Sequence, residues 1–479
     1  MRPMTMRHGT LLAILTFAGP ALAAVPGITG PSFDLVASAN VVSQPDGASI
    51  YAWGYGCNAA TAPSFAPFPG SCPSMQMPGP TLIVTEGQTV QVKLTNNLPP
   101  AAGNTSIVFP GFTVTATGGA PGLLAQEAAN GGGAVTYSFT ATTPGTHAYY
   151  SGTQADLQIE MGLFGALIVL PASPPASCVK GPFSLAASAY DHPSTCYSRE
   201  YLFQLSEMDS RIHDQALAQV HACPVGPCPP IAVVSEPYHP NYFLLNGRSM
   251  PDNMDGSYAA GYPRQPYNTN PHMHPGELML MRIIGQGRWQ HPFHFHGNHA
   301  RVLARDGRLL LSAVDNASLA GPLLFTTPTV SGQTQDQIFT WTGKGLNWDV
   351  YNHKSTDTPP VPCIPDASGY HSVVGSPNYG EWCADHLKPI PVAPPDPTIV
   401  AIGQWYAGTP YLGLQNTGAF TNTNEPPGTL NQNPPQESGY AYMWHSHNER
   451  EITTNDVFPG GMLSMLLIDP QSWVIDETR

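Results

Sequence analysis

Short apolar runs separated by turn residues recur along most of the chain. Residues 135–140 alternate apolar and polar side chains, as in a β-strand with one buried face. Three more segments of the first third also predict strands: 81–84, 89–94 and 165–170. Glu86 and Gly87 give a turn signal between two of them, and Pro171 ends the last. This spacing of short strands predicts a β-sandwich or barrel.

The same pattern resumes after residues 171–182, whose prolines predict a linker. Strands are predicted at residues 200–205, 242–245, 277–284, 292–303, 336–341, 441–447 and 462–468. The Pro-, Asn- and Gly-rich residues 348–399 and 409–438 predict two long insertions between strands. The pattern predicts no amphipathic helix, and the strand series occurs once in the second half. We therefore expect two domains, at residues 25–172 and 173–470.

The composition and the net charge exclude one class of protein and argue against two kinds of partner. Hydrophobic residues make up 42 % of the 479 residues and charged residues only 10 %, a balance that excludes a disordered chain. The formal net charge of −14 argues against nucleic acid as a partner, because phosphate binding needs clustered Lys and Arg. It also argues against binding to an anionic membrane surface.

Residues 1–24 predict a signal peptide. Arg2 and Arg7 give a basic start, an apolar run begins at residue 11, and residues 21–23 (Ala-Leu-Ala) offer a cleavage site. The run is too short to span a bilayer, and we find no other stretch that is long enough. A secreted or periplasmic protein without a membrane span is therefore expected.

The cysteines also indicate an oxidising compartment. All eight lie in loop-like sequence and fall in close pairs: Cys57 and Cys72, Cys178 and Cys196, Cys223 and Cys228, Cys363 and Cys383. Four local disulfides are expected, although eight cysteines permit 105 pairings. A cysteine-rich metal site is disfavoured because the sequence holds no Cys-x-x-Cys pair.

Two histidine pairs carry the clearest chemical signal. His294 and His296 are two residues apart, as are His445 and His447, and residues two apart on a strand point the same way. Imidazole is the commonest metal ligand in proteins. One such pair alone is more often a packed or surface feature. Two pairs in one β domain, with His291 three residues before the first, favour a metal site.

Two carboxyl groups follow the second histidine pair. Glu449 and Glu451 would share a face with His445 and His447 if that strand continues. The catalytic residues are otherwise unknown, and these two are candidates to join the metal site or to carry protons.

The remaining histidines predict structural or surface roles. His272 and His274 flank Met273 and lie near Met279 and Met281. Methionine packing in a strand is favoured there over a soft patch that handles copper. The others are scattered along the chain: His147, His192, His213, His221, His239, His353, His371 and His386.

Taken together, these segments resemble the multicopper oxidases. Residues 78–81 (Pro-Gly-Pro-Thr), and residues 145–151 followed by 162–169, are similar to the start and the end of that family's first cupredoxin domain. Residues 291–297 are similar to its H-P-x-H-x-H-G motif. Residues 445–447 (His-Ser-His) stand where the family has H-C-H before a G-M or G-L. The resemblance implies an all-β fold of tandem cupredoxin-like Greek-key barrels, with copper as cofactor.

The resemblance implies copper-binding roles for six residues. Four of them correspond to ligands of the type 2 and type 3 coppers: His294, His296, His445 and His447. The other two, His291 and Met462, correspond to ligands of the type 1 copper. The type 1 cysteine, however, is Ser446, whose hydroxyl does not supply a soft thiolate.

The first domain departs further from the family pattern. Residues 108–110 (Val-Phe-Pro) and 150–152 (Tyr-Ser-Gly) stand where the family has its two first-domain histidine pairs. A trinuclear cluster takes half of its histidines from those pairs. We therefore expect ordinary laccase turnover to be absent, and a mononuclear site on the four late histidines to remain.

Three functions stay open. A copper-binding oxidoreductase with an altered site is favoured, acting on a small-molecule substrate that the sequence does not name. The alternatives are a copper carrier or store without turnover, and a copper-free cupredoxin scaffold. Two-domain members of the family form trimers, so the resemblance also implies a homotrimer.

Overall fold

The computed structural model of the chain describes residues 25–65, 70–176, 178–180, 183–185, 187–389, 396–403, 405–412, 429–430, 438–471 and 474–475. The predicted signal peptide, residues 1–24, lies outside the described residues, as does most of the predicted insertion at residues 409–438.

Residues 28–170 form two facing sheets. Their strands are β1 (Ile28–Thr29), β2 (Ser32–Ser43), β3 (Ser49–Cys57), β4 (Leu82–Thr85), β5 (Thr89–Asn96), β6 (Thr115–Gly118), β7 (Ala134–Thr140), β8 (Gly145–Tyr150) and β9 (Phe164–Leu170). One sheet has the order β1-β4-β9-β8 and the other β3-β2-β5-β7-β6. Their apolar faces meet in a core that includes Trp53, Tyr55 and Tyr137. The four strands predicted in this part are found with ends shifted by one or two residues.

The rest of the chain forms a second pair of sheets with short connecting ladders. The strands are β10 (Val179–Lys180), β11 (Phe183–Ser184), β12 (Ala187–Ser188), β13 (Cys196–Tyr197), β14 (Arg199–Met208), β15 (Tyr242–Leu245), β16 (His272–Met273), β17 (Leu278–Gly285), β18 (His291–Phe295), β19 (Ala300–Arg305), β20 (Arg308–Leu309), β21 (Leu323–Leu324), β22 (Thr326–Thr329), β23 (Thr334–Thr340), β24 (Gly408–Leu412), β25 (Thr429–Leu430), β26 (Ser438–Ser446), β27 (Leu463–Ile468) and β28 (Val474–Ile475).

The two large sheets of this second pair enclose an aromatic core. One sheet has the order β15-β14-β17-β23-β19-β20, with β21 beside β19. The other has the order β16-β27-β26-β18-β22, with β24 beside β26. Phe203, Phe293, Trp341 and Trp444 are fully buried between them. The chain is thus an all-β protein of tandem cupredoxin-like barrels, which confirms the predicted fold class. The predicted domain limits, 25–172 and 173–470, stay a prediction.

Three short segments of the described chain are α-helical: α1 (Ala155–Gln158), α2 (Ser210–Ala222) and α3 (Pro397–Val400). The expectation of no amphipathic helix was wrong for α2. The Asp209 side chain caps its first turn by accepting from the Arg211 backbone N–H, and Ile212 and Ala216 are buried one turn apart. The buried residues are Ile212, His213 and Ala216, a stripe with only one large apolar side chain, so its periodicity is weak in the sequence.

Two strand predictions next to the histidine pairs need correction. The single strand predicted at residues 292–303 is two strands, β18 and β19, separated by a bend. Gly297 in that bend has φ of +101°, and a Cβ there would lie 3.1 Å from the Tyr442 ring. The strand predicted at residues 441–447 ends at Ser446. His296 and His447 therefore both lie just beyond the end of a strand.

All four predicted disulfides are present: Cys57–Cys72, Cys178–Cys196, Cys223–Cys228 and Cys363–Cys383. The last one closes a loop within the predicted insertion at residues 348–399. Among the described residues, no helix has the length and apolar character needed to cross a membrane.

A buried cluster of charged groups joins the two pairs of sheets. Arg282 on β17 contacts Glu200 on β14, and its other nitrogen lies 3.1 Å from the Thr146 hydroxyl on β8. Asp336 on β23 accepts hydrogen bonds from the Thr146 hydroxyl and from the Tyr190 hydroxyl. Because all of these side chains are buried, their charges are compensated within the protein.

Candidate metal centre

The pairing of strands β18 and β26, and the alternation of side chains along each strand, bring the two histidine pairs together. The strands are antiparallel, and His294 lies directly opposite His445. Phe293, Phe295 and Trp444 are fully buried on the core side of this sheet. Because side chains alternate along a strand, the apolar residues fix the register, and both histidines point away from the core.

The four histidine rings form one cluster. Ring centroids lie 4.9 Å apart for His294 and His296, and 5.4 Å apart for His294 and His445. The Nε2 atoms of His296 and His445 are 3.3 Å apart. One ring nitrogen from each of these three histidines lies within 4.8 Å of the others. His447 is exposed at the rim, with its ring centroid 4.8 Å from that of His294.

Hydrogen bonds at Nδ1 orient the three central rings. His296 Nδ1 lies 3.3 Å from the Ala407 carbonyl oxygen, and His445 Nδ1 lies 2.7 Å from that of Ser446. A carbonyl only accepts, so each of these Nδ1 atoms carries the proton and leaves an Nε2 lone pair. His294 Nδ1 lies 2.7 Å from the Thr326 hydroxyl, which can donate or accept and which accepts in the tautomer that leaves the His294 Nε2 lone pair free. In that tautomer three lone pairs converge.

Electrostatics keeps these imidazoles neutral. Burial, together with the neighbouring histidines, lowers the pKa of His294 to about 4. Burial also lowers the pKa of His296 and that of His445, against the opposing effect of their carbonyl partners. A metal binds the neutral imidazole, so the ligand form is already the dominant one near pH 7. Copper and zinc both accept three imidazole nitrogens, and the donor set fits either ion.

The Thr326 contact gives a first prediction. Replacing Thr326 with valine keeps the shape of the side chain and removes the acceptor that orients His294. We expect copper affinity to fall about 10- to 100-fold, the usual cost of losing such an orienting partner. Competition of the purified protein with a copper chelator measures this change. Thr115→Val, at an exposed position on β6, is the control and should leave the affinity unchanged. Equal affinities in both variants would contradict the assigned tautomer of His294.

His291 and Met462 lie in a different environment from the cluster. His291 is fully buried, its Nδ1 is 2.9 Å from Glu451 Oε2, and its Nε2 is 2.9 Å from Glu207 Oε2. Ser446 donates its hydroxyl proton to the same Glu451 oxygen. Met462 is fully buried in the aromatic core. Where the resemblance implies a type 1 copper, both ring nitrogens of His291 are thus occupied by carboxyl groups.

The strand that would have placed Glu449 and Glu451 on one face with the second histidine pair does not continue that far. β26 ends at Ser446, and Glu449–Ile452 form a 3₁₀ turn instead of continuing the strand. Glu449 is exposed, whereas Glu451 is buried and turned towards His291. The side-chain amide of Asn448 donates to the other oxygen of Glu451 at 2.9 Å. Only Glu451 is therefore connected to the interior of the site.

The residues that stand in place of the family's first-domain histidines offer no imidazole ring and pack into the protein. Phe109 is buried against Tyr137, Phe139 and Tyr149. The Ser151 hydroxyl donates to the Gln158 side chain at 2.6 Å. The contacts to the four late histidines come instead from residues of the second pair of sheets, namely Phe325, Thr326, Tyr406 and Ala407.

Most of the remaining histidines have the structural roles that were predicted. His272 pairs with Asp469 at 2.7 Å, and Met273, Met279 and Met281 are buried in the core rather than facing a ligand. His353 and His386 are different, because the structure brings them together with Asp349 and Glu381. Sequence reasoning missed this cluster. The available signal was an acid four residues before one histidine and five before the other, at the two ends of one insertion.

Comparisons with known proteins find matches to multicopper oxidases over part of the chain. Residues 74–174 match the multicopper oxidase family Cu-oxidase_3. The chain is 37 % identical over 98 residues to the laccase abr2 of Aspergillus fumigatus, covering 20 % of this chain and 16 % of the laccase. It is 34 % identical over 119 residues to the multicopper oxidase MCE of Talaromyces pinophilus, covering 24 % of this chain and 18 % of that oxidase. These matches span less than a fifth of either relative.

Two solved structures are similar over most of the chain. The multicopper oxidase mgLAC is 16 % identical with a TM-score of 0.48, and the match covers 92 % of this chain and 86 % of that protein. The blue copper oxidase of Nitrosomonas europaea is 15 % identical with a TM-score of 0.49, covering 91 % and 85 % respectively.

Proposed function

We propose that this relative of the multicopper oxidases binds a single copper ion through His294, His296 and His445 and acts as an oxidoreductase on a small molecule. Copper is the cofactor of that family. The observation that carries the proposal is the convergence of one ring nitrogen from each of the three histidines, with a hydrogen-bond partner at each Nδ1.

The surrounding residues shape how the site is reached. The rings of Tyr406 and Phe325 flank His294, and His299 packs against Phe325 at the exposed edge. Phe325 is 47 % exposed, so an apolar ring faces solvent beside the histidines. These aromatic groups line one side of the cluster. When bound, copper at this site supplies one-electron redox chemistry.

A line of hydrogen-bonded groups lies in the interior beside the histidine cluster. Ser446 lies between His445 and His447 in sequence, and its hydroxyl donates to Glu451, which also contacts His291. Glu207 lies on the far side of His291. We assign this line of hydrogen-bonded groups to holding and moving a proton next to the histidine cluster. Glu449, exposed and outside the line, has no part in it.

The proposal excludes the four-electron oxygen reduction that the family carries out. That reaction requires a type 1 copper with a thiolate ligand and histidines from the first domain. Ser446 replaces the cysteine, Glu207 and Glu451 occupy His291, and residues 108–110 and 150–152 contain no histidine. The altered copper set is therefore part of the proposal, with His291 and Met462 left out of the metal site.

A copper carrier is the second candidate, because His447 is exposed at the rim of a three-histidine site. An exposed fourth imidazole provides a route by which a partner exchanges the ion. We also propose that the protein is exported, which the four disulfides support. A homotrimer is proposed by resemblance to two-domain members of the family.

The test is the copper content of protein purified from an exporting, copper-supplemented culture. We expect one copper ion per chain, none in the His296→Ala/His445→Ala variant, and one in the control variant His221→Ala, which alters an exposed histidine on α2. Oxygen uptake with a panel of small reductants then separates oxidoreductase from carrier.

Three outcomes would contradict the proposal. Three or four coppers with an intense blue absorption would contradict the altered copper set. Absence of copper from every form would favour the scaffold. Copper without oxidation of any tested reductant would favour the carrier.

A further inference from the structure

We infer that the chain holds a second metal site, for a divalent ion of the zinc type, built from Asp349, His353, Glu381 and His386. These residues belong to the insertion at residues 348–399, and none of them belongs to the four-histidine cluster. The site is structural: it links distant parts of the insertion rather than taking part in oxidation.

The four side chains point their donor atoms at one place. His353 Nδ1 lies 3.0 Å from Asp349 Oδ2 and 3.3 Å from Glu381 Oε1. His386 Nδ1 lies 2.6 Å from Glu381 Oε1 and 3.9 Å from Asp349 Oδ2. All four donor atoms lie within 4.8 Å of one another. Both imidazoles thus present the same nitrogen to the same two oxygens, which is the arrangement of a shared ion.

The carboxyl groups of Asp349 and Glu381 also accept hydrogen bonds from groups other than the two imidazoles. Asp349 Oδ1 accepts the backbone N–H of Tyr351 at 3.0 Å, and Glu381 Oε2 accepts from the Asn378 side-chain amide. The backbone N–H of Leu387 donates to Asp349 Oδ2 at 2.8 Å. These contacts orient each carboxyl group so that one oxygen of each faces the imidazoles. Outer contacts of this kind accompany metal ligands generally.

Burial and charge favour a divalent cation. Side-chain exposure is 3 % for Asp349, 7 % for His353, 2 % for Glu381 and 15 % for His386. Two carboxylates with two neutral imidazoles carry a charge of −2, which a divalent ion cancels. The competing arrangement, in which protons on the two histidines balance the carboxylates, is an outcome that the test separates.

The donor set selects the class of ion. Two imidazole nitrogens and two carboxylate oxygens form a closed set of four, which suits tetrahedral Zn²⁺ in a structural site. Calcium and magnesium prefer six or more oxygen ligands. Soft Cu(I) prefers thiolate or thioether sulfur, and the nearby Cys363 and Cys383 are joined in a disulfide.

The ligands come from both ends of the insertion, so the ion closes it. Asp349 and His353 lie before the loop closed by Cys363–Cys383, and His386 follows that loop. Trp348 at the start of the insertion stacks on Tyr440 of β26 at 6.4 Å. Strand β26 also carries His445. An ion here therefore closes the insertion next to the strand that positions the copper site.

The test uses protein in which the copper site is already removed, His296→Ala/His445→Ala, so that bound metal reports the second site alone. After dialysis against a chelator, Zn²⁺ is added, excess is removed and zinc is counted by mass spectrometry. We expect one zinc ion per chain and four-coordinate visible bands when Co²⁺ is used instead. Adding His353→Gln/His386→Gln should remove both, whereas adding His221→Gln/His239→Gln should remove neither.

A second variant distinguishes loss of zinc binding from loss of the folded structure. Asp349→Asn keeps the size of the side chain and the contact with Tyr351, so it should preserve the circular dichroism spectrum and lower zinc affinity at least tenfold. Absence of zinc from the parent protein, or equal zinc in the parent and both ligand variants, would overturn the inference. Because two of the three copper ligands, His296 and His445, are absent throughout, neither result bears on the proposed copper site.

Discussion

Replacing His291 with glutamine should lower the free energy of unfolding by about 3 kcal/mol at pH 6 and by little above pH 9. His291 is fully buried between Glu207 and Glu451. Glutamine can still donate a hydrogen bond, but it cannot carry the positive charge that both carboxyl groups face. The loss at pH 6 is therefore the electrostatic part of the interaction.

The pH dependence follows from the shifted pKa of this histidine. Burial lowers the pKa of His291, but the hydrogen bonds and charges of Glu207 and Glu451 outweigh burial and raise it from 6.5 to about 9. The folded protein therefore binds the proton more tightly than the unfolded chain does. This stabilisation is complete below pH 6.5 and is lost as the pH rises through 9. This difference in proton affinity between the folded and the unfolded chain corresponds to about 3 kcal/mol.

Urea unfolding of the metal-free protein at pH 6 and at pH 9.5 measures both values. The control variant, His221→Gln, changes an exposed histidine on α2 and should unfold as the parent does at both pH values. A His291→Gln variant that is as stable as the parent at pH 6, but binds one copper fewer, would contradict this account. It would show that His291 is a copper ligand after all, as the family resemblance implied.

The features of the site that follow from alternation and spacing were predictable from the sequence. Along the two strands, the histidines alternate with the buried residues Phe293, Phe295 and Trp444. This pattern places His294 opposite His445. The resemblance to the multicopper oxidases and the tandem cupredoxin fold are confirmed. The close spacing of the cysteines likewise predicted all four disulfides, because each pair closes a loop of 20 residues or fewer.

The features that depend on distant partners were not predictable. Glu207 lies 84 residues before His291, and no local pattern indicates that the two meet. Glu451 was expected on the histidine face, but the turn after Ser446 reverses its direction. The second metal cluster brings together residues 37 positions apart, across a stretch without a regular hydrophobic period. In the last two cases a chain reversal or an irregular loop, rather than a periodic element, sets the contact.

Arg282 makes the buried contact with the largest expected effect on the whole fold. It is fully buried, its Nε lies 2.7 Å from Glu200 Oε2, and its Nη1 lies 3.6 Å from Asp336 Oδ1. Coulombic attraction to these two carboxyl groups outweighs burial and raises its pKa above the usual range. Nη1 also reaches the Thr146 hydroxyl in the other pair of sheets. The arginine therefore compensates charge and joins the two sheet pairs.

Replacing Arg282 with methionine should lower the free energy of unfolding by about 3–5 kcal/mol, because it leaves two carboxyl groups buried without their cation. Urea unfolding at pH 7 measures this loss. Adding Glu200→Gln and Asp336→Asn to the methionine variant should recover much of it, since neutral side chains remove the unpaired charge while keeping the volume. The exposed pair of Lys93 with Asp34 is the control, and Lys93→Met should cost less than about 1 kcal/mol. A loss below that size for Arg282→Met, or no recovery in the triple variant, would show that charge compensation is not what joins the two pairs of sheets.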